Sequence, residues 1–310
     1  MTHLPAILSA LVPLFSLIIA GSLLSRFAFP GPDFWPALER FIYFILFPAL
    51  LVEGLATANL EAARIPPVLI AVTLTLAVGS ALVFALKPLL KLDGPGFSSL
   101  YQGGIRFNTY LGIAVVIAVF GEQAMAVTAL TIALLIPLIN VACVLVLSRF
   151  ASGSASLLGL ARSLGQNPLI LGCVIGLLLN LSGLGLQDWL ASGLDIAGSA
   201  AVPLGLMSVG AGLKLGRWQS EVAPILSASL IKLLILPLAA WLIADLVGLS
   251  VLETQVLVVF AALPTATSAY ILARQMGGDH ALIARMLTLQ TAIAAISLPM
   301  VLAMLASQGG

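Results

Sequence analysis

The chain has 310 residues, of which 61% are apolar and 8% charged, with a net charge of +1 and a mean hydropathy of +1.18. A soluble domain carries about 25% charged residues, so this composition excludes a water-covered surface. No basic run invites nucleic acid, and the chain reads as an all-α integral membrane protein.

Apolar stretches of about 20 residues mark spanning helices, and ten are predicted. Span 1 lies near 4–26, with no Lys or Arg ahead of it and too great a length for a signal peptide. Span 2 follows near 34–56 and carries Glu53 toward its end. Span 3, near 65–90, ends on Lys87 with Lys91 beyond. Span 4, near 98–120, holds Gln102, Arg106, Asn108 and Thr109 in an apolar run. Span 5, near 123–149, contains Asn140 and Cys143. The longest connection, SRFASGSASLLGLARSLGQ, falls at the midpoint. It divides a first repeat (1–150) and a linker (151–164) from a second repeat (165–310). Spans 6 to 10 lie near 165–184, 189–213, 221–247, 255–276 and 280–306; they hold Cys173, Asp195, Lys232, Pro264 and Gln290 in that order. The two cysteines sit in apolar stretches and read as buried thiols.

The connections after spans 1, 3, 5, 7 and 9, with adjoining helix ends, hold Arg26, Arg40, Lys87, Lys91, Arg149, Arg162, Lys214, Arg217 and Arg274. The other side is expected to hold Arg64 and Arg285. Nine against two places the odd connections in the cytoplasm and both termini outside.

The two halves repeat their punctuation. Pro13, Gly21 and Pro48 recur as Pro168, Gly176 and Pro203 at an offset of 155; Pro67 and Gly121 recur as Pro224 and Gly278 at 157. Five spans per repeat is an odd number, so the second half inserts upside down, the inverted-repeat design of secondary transporters.

The offset of 157 carries Asn108 onto Thr265, beside Pro264. Pro264 removes a backbone donor and clashes with the preceding turn, so span 9 breaks there. In span 4, Gly103, Gly104, Asn108 and Thr109 are the weaker breakers. Freed backbone groups need partners that lipid cannot supply; Asn108, Thr109, Thr265, Thr267 and Ser268 can provide some. If the breaks cross, two helix N-termini converge with Arg106 beside them, which makes an anion site. A central intramembrane arginine costs upward of about 2.5 kcal/mol and is normally tied to a pathway or partner. Kinks and self-bonding hydroxyls are also common without any ligand. Lys232 could pair with Asp195 or Asp245, and Asn140 and Gln290 could bond across helices. Lys87, Lys91, Arg149 and Arg217 read as snorkelling anchors.

The segments RFNTYLGIAV (106–115) and LPTATSAYILARQMGGD (263–279) resemble the two broken-helix signatures of the auxin efflux carrier family, the bacterial relatives of plant PIN proteins. Arg106, Asn108 and Gly112 match the first; Ala114 stands where a proline is common. The resemblance covers the whole chain. It implies ten spans in a five-plus-five inverted repeat with helices 4 and 9 crossed, as in the NhaA antiporter and bile-acid transporters. It implies a bacterial inner-membrane carrier of small organic anions (malate, malonate or auxin-like acids) working by an elevator motion. Spans 1, 2, 6 and 7 would form a scaffold, often a dimer surface. Asn108 and Pro264 would be the crossover residues, with Thr109, Thr265, Ala266 and Ser268 lining the site around them. Gln102, Asn140, Lys232 and Gln290 are candidates for coupling or support.

No cofactor or metal is implied, and the coupling ion, a proton or sodium, stays open. The alternative is a sodium-coupled bile-acid-type symporter, which would show clustered Glu, Gln and Asn ligands beside the crossing. An intramembrane hydrolase would need a nucleophile with a base, and His3 and His280 lie at span ends without a GxSxG turn.

Overall fold

The computed structural model describes residues 3–31, 33–57, 65–152, 165–166, 168–213 and 221–306. These form fourteen α-helices, joined by short turns, with no strand among the described residues. They are α1 (His3–Arg26), α2 (Phe34–Phe41), α3 (Phe47–Ala56), α4 (Ile65–Leu90), α5 (Gly94–Ile105), α6 (Thr109–Phe120) and α7 (Met125–Leu147). The second half holds α8 (Pro168–Leu181), α9 (Asp188–Ala211), α10 (Val222–Leu230), α11 (Leu236–Val247), α12 (Val251–Ala262), α13 (Thr267–Met276) and α14 (His280–Ala306).

Helix ends follow local chemistry. The Asp93 side chain accepts from the Gly96 N–H at 2.7 Å and starts α5. Ser250 and Glu253 close a capping box at the start of α12. Gly248 and Gly277, at φ +71° and +77°, end α11 and α13 in the left-handed conformation that glycine adopts without strain. Two π-helical turns, Ile42–Leu46 and Ile231–Ile235, each stand two residues ahead of a proline, Pro48 and Pro237. A proline cannot donate to the preceding turn, and the wider turn accommodates it.

Seven stretches are long and apolar enough to cross a bilayer: Ile7–Arg26, Ile65–Leu90, Gly94–Phe120, Glu122–Ala151, Asp188–Ala211, Val222–Val247 and His280–Ala306. An eighth is the pair Val251–Ala262 and Thr267–Arg274, bent by 46° at the Pro264 break. At the positions expected for spans 2 and 6 stand α2–α3, which carries Glu39, Arg40 and Glu53, and the shorter apolar helix Pro168–Leu181.

The helices sort into two packed groups. In one, α1 lies along α9, and α3 lies along α8 and α9. Glycines set these crossings: a Cβ at Gly21 would overlap the Met207 carbonyl, one at Gly210 the Ile18 carbonyl, and one at Gly176 would meet Leu55 and the Val52 carbonyl. The other group gathers α4, α5, α7 and α10 to α14.

Several turns share one end of the bundle. Gly94 abuts Phe150, the Asp279 N–H donates to the Pro95 carbonyl at 3.3 Å, and Gly277 faces Ala151. Arg285 pairs with Glu221 there. That corrects the side expected for Arg285: it belongs with the odd connections, because it sits only one turn beyond the turn that opens α14. Asp195 and Glu122 both lie within electrostatic reach of Glu53. Lys87 lies 4.0 Å from the Phe150 ring centre, a cation–π contact rather than a snorkelling head alone. Arg64, Arg162, Lys214, Arg217 and most of the midpoint linker lie outside the described residues.

Candidate functional site

In span 4 the helix stops without a proline. α5 ends when the Arg106 N–H bonds back to the Gln102 carbonyl at 2.9 Å, and Arg106 then turns extended (φ −69°, ψ 155°). Asn108 restarts the helix, its side-chain oxygen accepting from the Leu111 N–H at 3.1 Å. The expected glycine breakers, Gly103 and Gly104, instead lie inside α5. They give room, since a Cβ on Gly103 would press on the Met286 sulfur and one on Gly104 on Val83.

In span 9 the chain is irregular from Leu263 to Ala266, around Pro264. The two breaks touch: the Asn108 N–H donates to the Pro264 carbonyl at 2.8 Å. Gln290 on α14 ties them a second time, accepting from the Thr265 N–H at 2.8 Å and donating to the Gly103 carbonyl at 3.0 Å. Backbone groups released by both interruptions thus find protein partners, as a lipid surround demands.

Lys232 pairs with neither Asp195 nor Asp245. Its ammonium donates to the carbonyls of Ala261 at 2.9 Å and Phe260 at 3.3 Å. These are among the last, unpaired carbonyls of α12, where the helix dipole favours a cation. The side chain is 1% exposed, and an ammonium, with three donors on one atom, can serve both oxygens in that space.

A cavity of about 40 Å³ opens beside the crossing, lined by Arg106, Thr109, Asn140, Ser268, Tyr43 and apolar groups from Phe107, Ile136, Ile139 and Leu169. That is room for about three waters, or for a carboxylate head. One Arg106 nitrogen, Nη2, donates to Asn140 Oδ1 at 3.0 Å and to Ser268 Oγ at 3.4 Å. The other, Nη1, is buried without a partner, as is Asn108 Nδ2. No carboxylate lines the cavity. A second cavity of about 30 Å³, mostly apolar, adjoins Lys232 and Thr75.

A profile of the family described as membrane transport protein matches residues 154–302. An uncharacterized transporter of Methanothermobacter thermautotrophicus is 27% identical over 299 residues, 95% of each chain. A protein of Rhizobium meliloti, provisionally named a malonate transporter, is 26% identical over 280 residues, 86% of this chain and 85% of its own. The second half of the chain is thus similar to a family of membrane transport proteins, and most of its length is similar to two transporters.

The segments 106–115 and 263–279 both hold interruptions, and these meet. Arg106, Thr109, Asn140 and Ser268 share the cavity, whereas Asn108, Pro264 and Gln290 hold the crossing together. Thr265 is fully buried, turned to Gln290 and to the Gln102 carbonyl at 3.5 Å. Ala266 occupies the start of α13, and Thr267 is its first residue. The Gln102 amide is fully buried with both ends unpartnered. Lys232 stands outside the Arg106 cavity. Sequence reasoning missed Tyr43, Phe107, Leu169 and the isoleucines, which look like any apolar span residue. Cys143, expected to be only a small apolar filler, lies against the Arg106 guanidinium.

Proposed function

We propose that this membrane transporter carries small organic anions across the bacterial inner membrane, with the carboxylate taken up by Arg106 at the crossing. The observation that carries this reading is the pair of buried donors left over there, Arg106 Nη1 and Asn108 Nδ2. Both lack an acceptor, and the N-termini of α6 and α13 add partial positive charge from two directions. An anion supplies what is missing; a cation would not. The provisional malonate assignment of the Rhizobium meliloti relative agrees in chemical class.

The same reading takes α1, α2–α3, α8 and α9 as a scaffold and the remaining helices as the moving body, in a ten-span inverted repeat. Supporting it, Gly21 packs span 1 on span 7 as Gly176 packs span 6 on span 2, a reciprocal pattern at the 155-residue offset. Charge supports cytoplasmic odd connections and external termini, with Arg285 added to the cytoplasmic set. The scaffold's free faces are the surface for a homodimer. A sodium-coupled reading ranks second, favoured only by the unpartnered Gln102 amide; the α12 carbonyls that would suit a cation are already held by Lys232.

Uptake of labelled malonate, malate and an indole carboxylate into proteoliposomes tests the reading, with sodium gradients imposed or omitted. Arg106→Ala should weaken anion binding about 30-fold, the loss of a charged hydrogen bond of about 2 kcal/mol. Equal affinity in the variant would remove Arg106 from the substrate site.

A further inference from the structure

The break in span 9 leaves two carbonyls unserved by their own helix. A continuous helix would bond the Phe260 carbonyl to the N–H of residue 264, which is a proline and has none. The Ala261 carbonyl would go to the Thr265 N–H, but that donor turns to Gln290 Oε1 at 2.8 Å. These are the two oxygens that the Lys232 ammonium serves, at 3.3 and 2.9 Å. The lysine reaches them from the π-helical turn Ile231–Ile235 on another span.

The other break meets the same need without charge. The offset of 157 residues carries Gly103 onto Phe260, and the Gly103 carbonyl takes a neutral donor, Gln290 Nε2, at 3.0 Å. The same offset carries Thr75 onto Lys232. Thr75 bonds back to the Ala71 carbonyl of its own helix at 2.8 Å and lines the cavity of about 30 Å³ beside Lys232. The rest of that cavity is chiefly apolar, from Ile105, Phe107, Leu135 and Leu257. A broken helix therefore does not need a full charge to satisfy its carbonyls. What the lysine adds is a cation at the carbonyl end of α12, where the helix dipole is negative. That charge is 1% exposed, and burying it costs free energy that a neutral donor would not.

We propose that Lys232 is a resident cation. Its ammonium occupies a site that the break would otherwise offer to a free monovalent cation, and it makes the protein independent of one at the crossing. Two carbonyl oxygens on adjacent residues at the negative end of a helix, beside a hydroxyl and a water-sized cavity, suit a hard cation such as sodium. The ammonium differs from such an ion in being tethered: it cannot enter or leave with a substrate. A sodium gradient therefore has no hold on this end of span 9. Truncating the lysine frees both oxygens and adds its volume to a cavity that already has room for about two waters. A sodium ion then takes the place of the ammonium. None of this depends on an anion at Arg106.

The test follows thermal unfolding of the full-length protein in detergent, in sodium chloride against choline chloride at matched ionic strength. Wild type should unfold at the same temperature in both salts. Lys232→Ala should unfold several degrees lower in choline and regain most of that loss in sodium, with a saturating dependence on concentration. Methylammonium, the free head group of the lost side chain, should act as sodium does. Lys232→Met refills the space with an apolar chain and should be destabilised alike in every salt. Lys232→Thr, which copies the residue at Thr75 and offers an oxygen, should respond to sodium as Lys232→Ala does and decides the matter if Lys232→Ala does not fold. Midpoints of Lys232→Ala or Lys232→Thr that are equal in sodium, methylammonium and choline overturn the proposal. A wild-type midpoint raised by sodium over choline overturns it too, because the ammonium then does not replace the ion. In proteoliposomes, malonate uptake should be equal in sodium and choline for wild type and should require sodium for Lys232→Thr; uptake by Lys232→Thr that ignores sodium counts against the exchange of ammonium for ion. A wild type that moves no tested carboxylate counts against the anion site instead, and the unfolding series still judges Lys232.

Discussion

The two interruptions at the centre of this molecule do the same job with different chemistry. The break in span 4 is largely self-sufficient: Asn108 caps the helix that follows it, and neutral amides close the helix before it. The break in span 9 depends on outsiders. A proline opens it, and Lys232, from the turn between α10 and α11, holds the carbonyl end. Its two helices are bent by 46°. A break capped by its own residue keeps its support whatever its neighbours do, whereas one held by a distant lysine depends on that partner.

That contrast can be broken at each support. Lys232→Met should cost the most, because it leaves the Phe260 and Ala261 carbonyls buried without donors. The lost bonds, less the relieved cost of burying a charge, amount to about 2 kcal/mol. Thermal unfolding in detergent reads it; an unshifted midpoint would mean that those carbonyls are served otherwise. Gln290→Ala removes one link on each break and should cost about 1.5 kcal/mol. It should also loosen both interruptions together, visible as faster hydrogen exchange at Thr265; exchange altered at neither break would contradict the bridge. Asn108→Ala should cost least, about 1 kcal/mol for a lost N-cap. Exchange should rise at Leu111 and stay unchanged along α13. A rise at α13 as large as at Leu111 would erase the distinction between the two breaks.

Much of this was legible beforehand, for physical reasons. Lipid forces long apolar runs, so span positions could be read directly, and a proline within such a run announces a break. Asn108 was reachable because the 157-residue offset carries it onto Thr265, beside Pro264. The glycine pair misled: Gly103 and Gly104 signal close packing against Met286 and Val83, and a sequence does not distinguish room from rupture. The partners of Lys232 were out of reach, since its bonds go to backbone carbonyls 28 and 29 residues away, which no side-chain pattern marks.

The account turns on an acceptor missing at the crossing, and a structure of the protein bound to malonate looks for it directly. A carboxylate should sit on Arg106 Nη1, between Asn140 and Ser268, with the cavity enlarged around the rest of the molecule. A carboxylate found elsewhere, with the Arg106 guanidinium satisfied by protein groups alone, would contradict it.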